Sequence, residues 1–290
     1  MSTVPARRGL LSGTRWMPYA LLLPGLLWLA LFFVTPILTL LSTSLQEGSI
    51  STGFRLTWRI ANYTDAFWNY REQFGRSILY ASLSTLLALV ICYPLAYFIA
   101  FRAGRYKNLM LLIVVAPFFT SFLIRTLSWK IILADSGFVV RVFQTLGLLP
   151  AGGRLLATSV AVVAGITYNF LPFMTLPLYT SLERLDASLI EAAGDLYAGP
   201  VTAFFKVTFP LSMPGVVAGT LLTFIPAAGD YINVRFLGTP AQYMLGNVID
   251  SRFLAVLDYP TAAALSITLM FTILVLVGLY VRRAGTEDLV

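Results

Sequence analysis

The sequence predicts an all-α, polytopic membrane protein with six transmembrane helices. Three observations carry this. The 290-residue chain is 58% hydrophobic and 11% charged, where soluble domains run near about 45–50% apolar and about 25% charged. Its apolar residues gather into runs long enough to cross a hydrocarbon core of roughly 30 Å as a helix. The stretches between those runs differ in basic content in the way that membrane insertion imposes.

Taken in order, Arg7, Arg8 and Arg15 precede an apolar run from about Trp16 to Leu41. That run is too long for the apolar part of a signal peptide and predicts a retained first helix. Ser42 to Arg76 is polar, aromatic and punctuated by glycine, an expected outer loop, although Arg55, Arg59, Arg71 and Arg76 run against the charge trend. The second span is Ser77 to Phe101, with Pro94 as a point of bending. Arg102, Arg105 and Lys107 follow as the clearest inner marker. The third span runs from Asn108 to about Leu133, is broken by Pro117 and carries Arg125 and Lys130. An outer segment leads to Arg154. Leu155 to about Leu178 is the fourth span, with Pro172 and Pro177 near its inner end. Met213 to about Ile232 is the fifth, interrupted at Pro226 and Gly229. Asn233 to Tyr259 is an outer loop with a short helix near Met244 to Phe253. Pro260 to Val281 is the sixth, closed by Arg282 and Arg283. Both termini are thereby expected in the cytosol, and the chain divides into 1–75 (tail, first helix and outer loop), a core at 76–283 and a tail at 284–290. No internal repeat is evident.

The net charge of +7 comes without basic runs, which fits positive-inside loops and not a nucleic-acid partner. Cys92 stands alone inside an apolar run, so no disulfide within the chain is possible. Histidine is absent, which removes the commonest general base and metal ligand. No metal site or cofactor is expected, and neither a clustered carboxylate pair nor a reactive thiol offers a reaction centre.

Between spans four and five lies a polar stretch, DASLIEAAGDLYAGPVTAFFKVTFP at 186–210. Asp186 or Ser188 can cap a helix, and Ser188 with Glu191 makes a capping box. Helix formers continue to Leu196. Ala198-Gly199-Pro200 then breaks the run, and Pro200 suits the first position of a second helix that stops at Pro210. A helix–turn–helix outside the membrane results, with apolar faces it cannot bury alone.

This stretch resembles the EAA loop of the membrane subunits of ATP-binding-cassette (ABC) importers: E-A-A, three residues, G, nine residues, I, one residue, L-P. Glu191, Ala192 and Ala193 match, Val207 stands for the isoleucine, Phe209 for the leucine and Pro210 for the proline. Tyr197 occupies the glycine position, so Gly199 is expected to supply any left-handed backbone in the turn. The resemblance implies a type I importer permease fold and a coupling helix that docks on an ATPase subunit. Glu191, Ala192, Ala193, Tyr197, Gly199, Phe204, Phe205 and Pro210 carry that role, the three aromatics as anchors. The alternative for the same residues is a helix lying on lipid headgroups.

Residues 117–129 (PFFTSFLIRTLSW), 223–240 (TFIPAAGDYINVRFLGTP) and 246–249 (GNVI) look like the spermidine/putrescine permeases of that family. Permeases for ferric iron, sulfate, thiamine and phosphonate share the loop. The resemblance implies an ATPase dimer, a second permease subunit, an extracytoplasmic solute-binding protein and residence in the bacterial cytoplasmic membrane. The chain has no G-x-x-x-x-G-K-[ST] of its own, so ATP hydrolysis is expected of a partner and not of this subunit. An ATPase-independent secondary transporter is the competing class; it leaves the Glu191–Pro210 match without a reason.

Ionisable groups within spans ask for a function. On straight helices Arg125 and Asp230 both lie about 25 Å above the inner face, which predicts that the two meet or share a cavity as an outer gate. The alternative is that Arg125 snorkels to the interface and Asp230 faces loop water. Trp129, Tyr168, Asn169, Asp230 and Tyr231 are candidates for the path of a cation, by aromatic faces and freed carbonyls near Pro172. The alternative for the rings is an interfacial belt or helix packing.

Overall fold

The structure, a computed structural model, describes residues 17–150 and 152–284. Arg7, Arg8, Arg15, Trp16 and the tail 285–290 lie outside the described residues.

The first span is one rod: α1 (Met17–Leu29), a π turn at Ala30–Val34 and α2 (Thr35–Ser44) share unbroken right-handed helical backbone. Its Leu, Phe and Trp side chains are exposed, as a lipid-facing helix requires, and α2 leans on the last helix of the chain. The expected outer loop is built: strands β1 (Gln46–Ser49) and β2 (Gly53–Leu56) pair antiparallel, with Gln46 opposite Leu56, and α3 (Ala61–Asn69) follows. The second span, α4 (Arg71–Phe101), begins earlier than Ser77 and passes Pro94 without interruption.

The third span departs from expectation. α5 (Lys107–Val115) tightens into a 3₁₀ turn at Ala116–Phe119, Thr120 and Ser121 are extended, and α6 (Phe122–Ile132) leaves at 95°. Pro117 starts the break, and the Thr120 hydroxyl holds it by donating to the Pro117 carbonyl at 2.7 Å. α7 (Phe138–Thr145) lies in the segment beyond. The fourth span, α8 (Ser159–Glu183), is unbroken through Pro172 and Pro177, begins after Leu155 and ends after Leu178.

α9 (Ala187–Asp195), α10 (Pro200–Ala203), a π turn at Phe204–Thr208 and α11 (Phe209–Leu211) form an elbow, and a 64° bend leads into the fifth span, α12 (Met213–Ala228). After it the expected short helix near Met244 is present as α14 (Leu245–Asp250) with a π turn at Ser251–Ala255, but the stretch before it is also helical and partly buried: α13 (Ile232–Leu237) and a 3₁₀ turn at Pro240–Gln242. Asn233, Val234, Leu237, Met244 and Leu245 have no more than 0% exposure. The sixth span, α15 (Tyr259–Ala284), closes the chain. Among the described residues, four helices are long and apolar enough to cross a membrane unbroken, and counting each bent pair as one span brings the number to six.

Small residues hold the centre together. α4 turns Ala81, Ser84, Ala88, Cys92 and Ala96 toward α8, and Ser84 donates to the Val163 carbonyl at 3.2 Å while Thr167 donates to that of Ser84. On α12, Gly215 and Gly219 meet α8 backbone to backbone: a Cβ at Gly215 stands 2.7 Å from the Pro177 carbonyl oxygen, and one at Gly219 stands 3.2 Å from that of Met174. Lipid supplies no hydrophobic force between helices, so close approach of this kind is what joins them.

Candidate functional site

At one end of the bundle the elbow projects beyond the spans. Asp186 caps α9 by accepting the Ser188 amide at 2.9 Å, and that hydrogen bond holds its carboxyl below the usual aspartate value. Ser188 sits inside α9, so the expected capping box with Glu191 is replaced by the Asp186 cap. α9 closes in a Schellman motif: the Ala198 amide donates to the Ala193 carbonyl at 3.0 Å and the Tyr197 amide to that of Gly194 at 2.9 Å. This motif needs a left-handed residue at the position of Tyr197, and Tyr197 takes it, with φ of 60°. Gly199 does not; its φ is −64°. The turn therefore keeps its geometry without the glycine, at a backbone cost of about 1–2 kcal/mol for a residue bearing a Cβ.

The second half of the elbow continues through Pro210 to Leu211. The Phe209 amide reaches back five residues to the Phe204 carbonyl, which widens the helix directly before the proline ring and relieves its clash. Its inner face is pinned to α4: Phe204 stacks edge-on to Tyr93 at 5.5 Å, Tyr93 packs on Phe209 at 5.7 Å, and the Tyr93 and Ser212 hydroxyls bond at 2.7 Å. Phe204 is thus a fastening to the bundle and not an outward anchor. Ala193 is buried, while Glu191 and Ala192 face out. Leu196 (81%), Tyr197 (98%), Val201 (70%) and Phe205 (63%) remain exposed as one apolar set. Lys107 Nζ and Glu183 Oε1, 2.5 Å apart, tie α5 to α8 at the same end.

Deeper in the bundle, the residues expected to form a gate meet differently. Arg125 and Asp230 are both buried but do not pair. Asp230 caps α13, accepting from the Asn233 amide at 2.8 Å and from Asn233 Nδ2 at 2.7 Å. Asn233 Oδ1 in turn accepts from Thr126 at 3.1 Å and from Asn169 Nδ2 at 3.0 Å. Arg125 donates at 3.5 Å to the Asn169 carbonyl, and its guanidinium lies over the Phe122 and Phe118 rings at 5.6 and 5.8 Å. The two are joined at second hand: Arg125 reaches the Asn169 carbonyl, and Asp230 holds Asn233, whose Oδ1 accepts from Asn169. The result is a polar clasp that joins α6, α8 and α13. Trp129 and Tyr168 form an edge-on pair at 5.4 Å. Tyr231 has an exposed side chain, and its carbonyl accepts from Asn247 Nδ2 at 2.8 Å. Thr126 and Asn233 belong to the clasp, and Asn247 holds the Tyr231 carbonyl, without standing out in the sequence, where hydroxyls and amides amid apolar residues are the available signal. A groove of about 630 Å³ between α8 and α12 is lined by Pro172, Phe173, Leu176, Thr180, Ser181 and Arg184 among others; the six residues chosen for the pathway lie elsewhere.

Residues 93–284 match the model of the family described as binding-protein-dependent transport system inner membrane component. This chain belongs to that family. It is a membrane permease subunit of an ABC importer. It is 37% identical over 268 residues (92% of this chain, 90% of the relative) to the spermidine/putrescine transport system permease protein PotB of Haemophilus influenzae. It is 36% identical over 260 residues (89% and 94%) to PotB of Escherichia coli, and 32% identical over 308 residues (98% and 97%) to the inner membrane ABC transporter permease protein YdcU of Escherichia coli. Among solved structures, a bacterial ABC transporter that imports the acidic polysaccharide alginate superposes with a TM-score of 0.68 at 19% identity, covering 94% of this permease and 96% of that chain. A bacterial alginate ABC transporter in complex with its pentasaccharide-bound periplasmic protein gives 0.67 at 21% identity, covering 90% and 91%. The expected type I permease fold holds, and with it membership among ABC importer subunits replaces the secondary-transporter alternative.

Proposed function

We propose that this permease forms one half of the translocation pathway of an importer for spermidine or putrescine. The observation that carries the substrate class is likeness to permeases named for those polyamines along nine-tenths of the chain. The elbow receives a dimeric ATPase through Glu191, Ala192, Tyr197 and Phe205, with Phe204 and Pro210 setting its pose on α4. Its closing moves the bundle as a near-rigid body. A second permease subunit completes the pathway across the groove between α8 and α12, and an extracytoplasmic solute-binding protein delivers the polyamine at the opposite end. Both termini then lie in the cytosol of a bacterium, on the elbow side. The groove wall supplied here is apolar, with Thr180, Ser181 and Arg184 as its polar members. Selection for a cation accordingly falls mainly on the binding protein and the second subunit.

Reconstitution of the full assembly in proteoliposomes tests the reading. Radiolabelled spermidine is expected to enter only with ATP, and unlabelled putrescine, not sulfate or ferric iron, is expected to compete. Uptake that persists without the ATPase, or that sulfate or iron suppresses, contradicts it.

A further inference from the structure

We propose that Tyr197 is the residue by which this permease selects its own ATPase: its ring is a knob for an apolar socket in a groove with a basic rim. The proposal rests on the elbow reading above. Between Glu191 and Gly199 the chain departs three times from what its own helix favours. The closing position of α9 is left-handed, φ of 60°, where glycine carries no Cβ penalty. The side chain placed there gains nothing from this chain, being 98% exposed with no hydrogen-bond or ring partner among the described residues. Glu191 and Asp195 are two exposed like charges one turn apart on α9, and Asp195 lies in the last turn, where the dipole disfavours negative charge. Neither carboxylate has an ion-pair partner among the described residues.

Each departure is a cost without return inside the permease, so the return is expected in a complex. An anionic lipid surface attracts basic residues and repels this pair of carboxylates. A protein groove with lysine or arginine at its rim and an apolar pocket within satisfies all three at once, and tyrosine is among the residues that dominate such contacts. Glycine at this place offers any partner only backbone. Tyrosine demands a socket, and a groove without one clashes, which is how repulsion produces specificity.

The test uses the full chain in nanodiscs and the ATPase subunit of its own transport system, with binding titrated and thermal unfolding followed. Tyr197→Gly is expected to unfold at the same or a higher temperature and yet bind the ATPase about tenfold or more weakly. Tyr197→Phe is expected to stay within about threefold, since the ring does the work. Unchanged ATPase affinity in Tyr197→Gly overturns the proposal, as does a lowered unfolding temperature, which would make the ring a support of the permease's own fold. Phe205→Ala separates the two levels. If it weakens binding and Tyr197→Gly does not, the elbow docks without a knob; if neither does, the elbow reading itself falls. Weaker association of Tyr197→Gly with anionic vesicles, at unchanged ATPase affinity, assigns the ring to headgroups and also overturns the proposal.

Discussion

The clasp and the elbow use opposite residues for their surroundings. Around Asn233, polar groups sit where no water reaches, and they are partnered by Thr126, Asn169 and Asp230. Around Tyr197, apolar groups stand in the open: among the described residues, Leu196, Tyr197, Val201 and Phe205 all keep most of their surface exposed. The clasp finds most of its partners within the chain, Asn169 Oδ1 and Arg125 Nε excepted, and its logic is stability: amides and hydroxyls bind helices together where lipid gives no hydrophobic drive. The elbow is incomplete alone, and its logic is association. Substitutions in the first region should change the chain's own stability, and those in the second should change what the chain holds.

The largest expected effect lies at the α8–α12 seam. In Gly215→Val the new Cβ meets the Ser181 Cβ at 2.5 Å and the Pro177 carbonyl oxygen at 2.7 Å. Backbone cannot yield cheaply there, and about 2–3 kcal/mol of stability should be lost. Gly194→Ala in the elbow is the control, since nothing stands within 4 Å of its Cβ. It should leave stability unchanged or raise it by about 0.5–1 kcal/mol. Thermal unfolding in one detergent compares the two; equal losses would erase the distinction between the regions.

Next in size is the clasp. Asn233→Ala removes the acceptor for Thr126 and Asn169 and one donor to Asp230, and should cost about 2 kcal/mol. Unfolding temperature should fall while affinity for the ATPase in the folded fraction stays the same. A loss of affinity at unchanged unfolding temperature would move the clasp into the coupling machinery.

How far the sequence was legible follows the same division. Spans were readable because apolar length is a property of single segments, and the elbow was readable because its charges, glycines and prolines interrupt that length. Three things were not. The prolines carry no sign of which neighbours replace their lost bonds: Pro117 breaks its span at 95°, whereas α8 continues through Pro172 and Pro177 without a break. In the segment after α12 the short helix near Met244 was legible, but α13 was not, being too short to show a period, and neither was the burial of Asn233 and Leu245. The site suffered from the same blindness. In the sequence Asp230 looks like a charge seeking Arg125; in the fold it caps the helix beginning two residues later and reaches Arg125 only through Asn233 and Asn169. At the turn, glycine preference pointed to Gly199, but the hydrogen-bonding ring of the Schellman motif fixes the left-handed place at Tyr197 whatever residue stands there.

The claim on which the comparison turns is that the exposed face of the elbow holds the ATPase. ATP-driven spermidine uptake by the reconstituted importer, measured for Glu191→Ala with Phe205→Ala against the unaltered chain, tests it most directly. Uptake is expected to fall at least about tenfold together with retention of the ATPase, while the permease unfolds at its original temperature. Uptake and retention both at the unaltered level would contradict the account.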